Sequence, residues 1–410
     1  MKRSASFIKN APVAAFVVAA LATALGGCNW IKGLGKKDNV EPPTPLTEIA
    51  PTAQVDRVWS EGVGKGAGES GARLVPAAAD GRLYAVSVDG TIEALDAATG
   101  RTVWQQRLGK RSGSSWRFWS RGDNSLRWSG GPTVAGDLLV VGGLDGQLYA
   151  LSSQDGSERW NVQMTSEIIA PPAIDGDVVV VRTNDGRLSA VSAADGSPKW
   201  VYNQQVPALS LRGASAPLIV SGVVYEGFDN GKVVAVRLQD GVEQWTQTLS
   251  GAEGRTEVER IADVDGNLVS DGGVLYAVGY RGQVAALALD SGRPLWQRDL
   301  SSYAGVAVSG ATVVVVGADG NVWAFDRETG VNLWKQDQLK FRWLSAPAIE
   351  GKHAVVGDLE GYVHWLNLED GKFAARERFG KKPIEGAPLV VDGTVYIEDT
   401  KGRIGAYRAR

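Results

Sequence analysis

The chain has 410 residues, a formal net charge of −3, 44% hydrophobic residues, 52 glycines and a single cysteine. That hydrophobic share excludes a largely disordered chain, the mildly acidic balance argues against a general nucleic-acid binder, and one cysteine rules out an internal disulfide. Length alone suggests two or three domains of about 150 residues, but a closed ring of repeats would be one unit.

At the N-terminus Lys2, Arg3 and Lys9 form a basic region, Ala11 to Ala24 an apolar one, and Leu25-Gly26-Gly27 lead into Cys28. This is the layout of a secretory signal peptide over residues 1–27, and its apolar run is shorter than the ~20 residues of a spanning helix. The LGGC stretch resembles the lipobox of bacterial lipoproteins, in which the cysteine becomes the acylated (palmitate-bearing) first residue of the mature chain. An ordinary secretory signal with a chance cysteine is the alternative. In bacterial lipoproteins an Asp after the cysteine favours inner-membrane retention, so Asn29 is compatible with transfer to the outer membrane and a periplasm-facing body. Cleavage removes three basic residues and no acidic ones, taking the net charge from −3 to −6. Residues 29–54 contain EPPTPLTEIAPT and little periodicity. With Cys28 they read as a flexible tether, 28–54, with a reach on the order of 30 Å.

From residue 55 to 410 the chain repeats one unit eight times, most legibly from Ala304 to Trp334. Two apolar runs join through Asp319-Gly320, a third joins through Thr329-Gly330, and Trp334 follows four residues after Gly330. β-Branched runs separated by Gly turns are strand and turn signals, so each unit predicts a four-stranded meander. The first turn's glycine recurs at Gly90, Gly146, Gly186, Gly231, Gly282, Gly320, Gly361 and Gly402, at spacings of 38 to 56 residues. Repeats of this length with four short strands predict an all-β, eight-bladed β-propeller. A Gly followed four residues later by Trp marks six units, while in the seventh Gly371 is followed by Ala375. The eighth unit ends at Arg410 without its outer strand, and VDRVWSEG around Trp59 carries a tryptophan with no repeat before it. The N-terminal strand is therefore expected to complete the last blade and close the ring.

Three interruptions of the repeat carry candidate contacts. Residues 105–129 interleave Arg107, Lys110, Arg111, Arg117, Arg121 and Arg127 with Trp116, Phe118, Trp119 and Trp128. That composition suits anionic headgroups, nucleic acid or an acidic protein surface, the alternative being a basic loop folded back with its aromatics partly buried. Between the third and fourth units, Leu209, Leu211 and Arg212 fall in a connection after an outer strand at Trp200 to Gln204 and before an inner strand at Ala214 to Val220. They read either as a contact patch or as an extension of the inner strand into the core. The next connection, 250–267, places Glu257, Glu259, Asp263 and Asp265 on the same rim. Asp263-x-Asp265-x-Asn267 lacks the glycine and terminal Glu of a calcium loop, so no metal is assigned. His353 and His364 lie in strand-like runs with no nucleophile motif beside them, and the repeated Asp-Gly pairs are explained by turn geometry.

The DGxLYALDxxTGxxxW units, as at Asp145 to Leu151, resemble the quinoprotein-type propeller repeat across roughly residues 56 to 410. Together with the lipobox, the stretches LSLRG (209–213), DNGKVVAV (229–236), DVD (263–265) and GDLEGYVHWLNLEDG (357–371) make the chain resemble the BamB family. These are propeller lipoproteins of the bacterial outer-membrane β-barrel assembly machinery. The resemblance implies a non-enzymatic adaptor without a cofactor. It implies binding to the POTRA region of BamA, association with the other subunits of the machinery, and help in folding and insertion of barrel proteins. It also implies that Leu209, Leu211 and Arg212 in one connection, and Asp263 and Asp265 in the next, contact the partner. Exposed outer strands offer unfolded barrel proteins a further site by strand addition. The rival class is a pyrroloquinoline quinone-dependent dehydrogenase, which shares the repeat but generally uses a calcium-bound cofactor site that has no counterpart in these motifs. A carbohydrate- or matrix-binding propeller is a third class.

Overall fold

A computed structural model describes residues 41–108, 128–210, 213, 215–249, 256 and 261–410. The chain divides between Pro42 and Pro43, and every strand of the described residues belongs to the unit from Pro43 onward. Among the described residues thirty-two strands form eight four-stranded antiparallel sheets, each built from consecutive strands except the last. Blades one to seven span 77–107, 128–163, 173–203, 218–248, 269–299, 306–336 and 348–378. Blade eight takes three strands from 389–409 and its outer strand, β1, from Val55–Gly62. β1 pairs with Arg403–Ala409 from Val55↔Ala409 to Gly62↔Arg403, which is the closure expected from the sequence.

The core lies between the blades. Eight buried apolar clusters each straddle one interface between neighbours, from Tyr84, Ile92 and Leu139 between blades one and two to Leu83, Tyr396 and Ile404 across the closing seam. Both faces of a blade are therefore covered, which is why the second and third strands are nearly continuous Val, Ala and Leu.

One contact recurs around the ring. The outer-strand tryptophans at 59, 104, 160, 200, 245, 296 and 334 each donate Nε1–H to a carbonyl of the next blade, at 2.7–3.1 Å. Each indole also lies on the glycine of the next blade's outer turn. At Gly100, Gly156, Gly196, Gly241, Gly292, Gly330 and Gly371 φ is 65–73°, and a Cβ would fall 2.4–2.8 Å from the ring. Glycine is needed there twice over, for the left-handed backbone and for the close approach. Within each blade the tryptophan faces an alanine across the sheet, as in Ala190↔Trp200 and Ala324↔Trp334. The residue before the tryptophan is bulged out, so that Val103, Leu295 and Leu333 stand exposed on the outside.

Blade seven explains its own departure from the pattern. There the pair is inverted, Trp365↔Ala375, and Trp365 turns fully buried toward blade eight with its ring 5.9 Å from that of Tyr407. An outer tryptophan at 375 would have nothing to grip, because in blade eight the outer turn is replaced by the chain's entry and exit. Residues 51–55 run there instead. Thr52 and Ala53 donate to the carbonyl of Ala374 at 2.8 and 3.1 Å, beside a cavity of about 420 Å³ lined by 51–55 and 375–377.

The structure also corrects the expected extent of the tether. Residues 43–54 lie along blade seven: Thr44 N–H reaches the Lys340 carbonyl at 3.1 Å, and the carbonyls of Thr44 and Thr47 accept from Arg342 and Arg376 at 2.8 and 2.7 Å. Leu46 packs on the cluster between blades six and seven. The interruption after blade one is also shorter than expected. Trp128 is fully buried at the start of β6, Trp128–Ala135, edge-on to Tyr149, while 109–127 lies outside the described residues.

Three outcomes follow. Trp334→Ala, which removes a 93%-buried indole together with its hydrogen bond, should lower unfolding free energy by about 3–5 kcal/mol in urea titrations. Gly371→Ala should destabilise through the same contact from the other side. Deleting residues 55–61 should abolish cooperative thermal unfolding of the whole ring, because blade eight loses its outer strand and the seam opens.

Candidate partner-docking rim

In every blade the turn between strands two and three, and the connection to the next blade, emerge on the same face. The connections after blades three and four meet there. The outer strand of blade three is Pro198–Asn203 and the inner strand of blade four is Leu218–Val220, shorter than the sequence suggested. Leu209 therefore stands outside the sheet with 46% of its surface exposed, next to Val206 at 37%. Leu211 and Arg212 lie outside the described residues, as do Glu257 and Glu259.

From Gly213 on, the first connection is bound to the second. The Gly213 Cα position is so close to Asp265 that a Cβ would sit 2.7 Å from Oδ2. Ala216 donates its backbone N–H to Asn267 Oδ1 at 3.0 Å, Val264 N–H to the Phe228 carbonyl at 3.2 Å, and Tyr280 N–H to the Asp263 carbonyl at 2.7 Å. Asn267 is thus committed to the neighbouring connection.

The expectation that Asp263 and Asp265 display carboxylates on the rim is corrected: Asp263 is fully buried and Asp265 is 7% exposed. They join an interior cluster that the sequence reading missed. Arg182, 2% exposed at the end of β11, Val178–Thr183, pairs with Asp229 at 3.3 Å and lies over the Phe228 ring at 4.6 Å. Glu226, fully buried in β15, Val223–Gly227, accepts from Ser215 Oγ at 2.6 Å, and Ser215 in turn accepts from Gly227 N–H at 3.0 Å. Four carboxyl groups thus sit close behind the two connections. Burial pushes Glu226 up to about 8, outweighing the attraction of Arg182. Burial, with Asp263 and Asp229 adding negative charge, pushes Asp265 up to about 8. Burial also raises Asp229, against Arg182. Single charged residues inside apolar β-branched runs, VVVVRT and VVYEG, are the signal that could have found Arg182 and Glu226.

The remaining candidates are spread elsewhere. His364 is buried in blade seven, with Nε2 3.0 Å from Asp358 Oδ2, and burial lowers its pKa against the pull of that carboxylate. His353 faces Glu350 in the same blade at 3.5 Å. Cys28 lies outside the described residues. What the rim offers chemically is an exposed apolar edge mounted on a buried polar base.

Both buried acids have folded-state pKa values above their unfolded ones, so their contribution is greatest below about pH 4 and is lost as pH rises through about 8. Glu226→Gln and Asp265→Asn should therefore raise the melting temperature at mildly alkaline pH more than at mildly acidic pH. Melting curves recorded across that range should show a flatter pH dependence than the parent.

The family model described as outer membrane protein assembly factor BamB matches residues 53–117, 88–336 and 330–410. A protein of Xanthomonas campestris named outer membrane protein assembly factor BamB is 44% identical over 398 residues, covering 96% of each chain. The crystal structure of BamB from Moraxella catarrhalis superposes with a TM-score of 0.77 at 28% identity, covering 87% of this chain and all of that one. A quinohemoprotein alcohol dehydrogenase from Pseudomonas putida matches with a TM-score of 0.66 at 13% identity, a likeness of fold alone.

Proposed function

The chain belongs to the BamB family of outer membrane protein assembly factors, and from that membership we propose that it is a lipid-anchored adaptor docking the POTRA region of BamA on this rim. Its work is assembly of outer-membrane proteins within the assembly complex, at the outer membrane, and it is not an enzyme. The finer reading places an acylated Cys28 in the membrane, the propeller in the periplasm, and Leu209, Leu211 and Arg212 at the contact. The observation that carries it is the joining of the two connections: Leu209 projects from a segment whose far end packs on Asp265 and is hydrogen-bonded through Ala216 to Asn267.

Asp263 and Asp265 have a supporting part in this reading. Buried carboxyls cannot meet a partner directly, so they act by holding the base of the 209–213 segment against blade five. A docking loop fixed before it binds loses less conformational freedom on binding. The leucines supply apolar area that is dehydrated on contact, and Arg212 sets orientation.

Leu209→Asp combined with Leu211→Asp, or Arg212→Glu alone, should abolish co-purification of BamA from detergent-solubilised envelope while leaving the β-sheet circular dichroism and melting temperature unchanged. Retained co-purification would overturn the assignment. Asp265→Asn should weaken the contact less than either, because it alters the loop's support and leaves the contact side chains in place.

A further inference from the structure

The connection between blades six and seven carries a second exposed apolar feature. In Leu339-Lys340-Phe341-Arg342-Trp343-Leu344 burial alternates from Phe341 on: Leu339, Arg342 and Leu344 are buried, while Phe341 is 38% and Trp343 59% exposed. Trp343 is the most exposed large hydrophobic among the described residues. The backbone that turns these rings outward is held in an uncommon conformation, with φ of 57° at Phe341 and 49° at Trp343. It is fixed from several sides. Phe341 N–H donates to the Asp319 carbonyl at 3.0 Å, Leu359 N–H to the Arg342 carbonyl at 3.0 Å, and Arg342 Nε to Asp358 Oδ2 at 2.8 Å. A buried arginine between two everted aromatics makes this a rigid display and not a frayed loop.

The same arginine holds the incoming chain. Arg342 Nη1 donates to the Thr44 carbonyl, and Thr44 N–H donates to the Lys340 carbonyl, so the segment arriving from Cys28 joins the propeller at this turn. Sixteen residue steps separate Cys28 from Thr44, at most about 55 Å fully extended. Charge on this edge is mixed: Asp319, Asp337, Glu360 and Glu385 are exposed on the same face, so the lysines serve to meet headgroup phosphates beside the aromatics and not to make a basic patch. Lys340 lies in the turn, and Lys381 and Lys382 are exposed in the next connection on the same face, separated from it by the turn at Leu359–Gly361. Trp and Phe beside Lys are the side chains that settle at the boundary between lipid headgroups and acyl chains.

We propose that Phe341 and Trp343, flanked by Lys340, Lys381 and Lys382, form a second membrane contact that lays this edge of the propeller on the lipid headgroups. The site lies two blade connections beyond the 4-to-5 connection of the docking rim, and on the same face. The proposal rests on the lipid-anchored, outer-membrane reading above. A lipid chain on this tether sets only the greatest distance from the bilayer, whereas an aromatic pair at the point of attachment would fix both distance and orientation.

The test uses the full mature chain with Asp337→Cys, whose thiol is the sole free one once Cys28 is acylated, labelled with a fluorophore. It is bound to phosphatidylethanolamine and phosphatidylglycerol vesicles containing a nitroxide headgroup lipid. Quenching of the label that is lost in Phe341→Ser/Trp343→Ser supports the proposal. A vesicle-bound protein whose label is unquenched, or quenched equally in the double variant, overturns it and leaves the anchor standing. Loss of assembly-complex subunits from the double variant with unchanged quenching also overturns it, since the patch would then face protein. If mass and label stoichiometry show that Cys28 carries no lipid, the anchor reading fails by itself. Flotation of a Cys28→Ser chain then decides the matter: vesicle association roughly tenfold weaker in the aromatic double variant supports the contact, and no association in the parent overturns it. Melting curves of each variant establish that the fold is retained.

Discussion

The contact on which the ring depends is an indole laid on a glycine of the next blade. It combines apolar burial, a hydrogen bond from Nε1 to a carbonyl, and a backbone conformation open to glycine, all at one point in each of seven interfaces. A blade alone has two apolar faces and cannot bury either, so stability is a property of neighbouring pairs and of ring closure. The geometry of the contact accounts for other regularities as well. An alanine must stand opposite each tryptophan so that the indole can lean out of its own sheet. The bulge before it supplies the local twist that aims the ring at the neighbour.

Closure is where the repeat breaks, and the break follows from the same contact. Blade eight is assembled from both ends of the chain and therefore has no continuous outer turn, so no glycine is offered to blade seven. Trp365 and Ala375 exchange positions across the sheet, and the large ring fills the interface from the third strand with total side-chain volume conserved. The vacated outer position is crossed by residues 51–55, whose backbone donates to Ala374 where an indole would otherwise bond onward.

Much of this was legible in the sequence because it is local and periodic. The Asp-Gly and Thr-Gly turns, the Trp at a fixed offset and the orphan Trp59 gave eight blades and the closing strand. The inversion at 365 and 375 was visible only as a missing Trp, since its cause is the absence from blade eight of the continuous outer turn that a tryptophan at 375 would grip. The burial of Asp263 and Asp265 was illegible for a related reason. In a connection a carboxylate reads as solvated, and only the approach of Gly213 and the presence of Arg182 and Asp229 behind it show that the segment turns inward. Leu209 shows the reverse: its period-two pattern with Leu211 resembles a strand, yet the strand begins at Leu218. The Pro-rich appearance of 43–54 suggested freedom because a chain that docks through its backbone carbonyls leaves little side-chain signature.

The distribution of irregularity over the molecule determines where function can sit. In blades one to seven the step from the end of strand three to the start of strand four is the same length, from Asp96 to Thr102 and from Asn367 to Phe373, because that turn must present its glycine and carbonyl to an indole at fixed distance. The turns between strands two and three vary by no more than a residue or two. The connections between blades have no such duty, and they range from Asp299–Val306 to Arg107–Trp128. All of them open on one face. Any surface that differs from blade to blade, and so can distinguish one partner from another, must be built there. Both the Leu209 segment and the Phe341–Trp343 turn are, each fixed by a buried arginine or carboxyl instead of by the repeat.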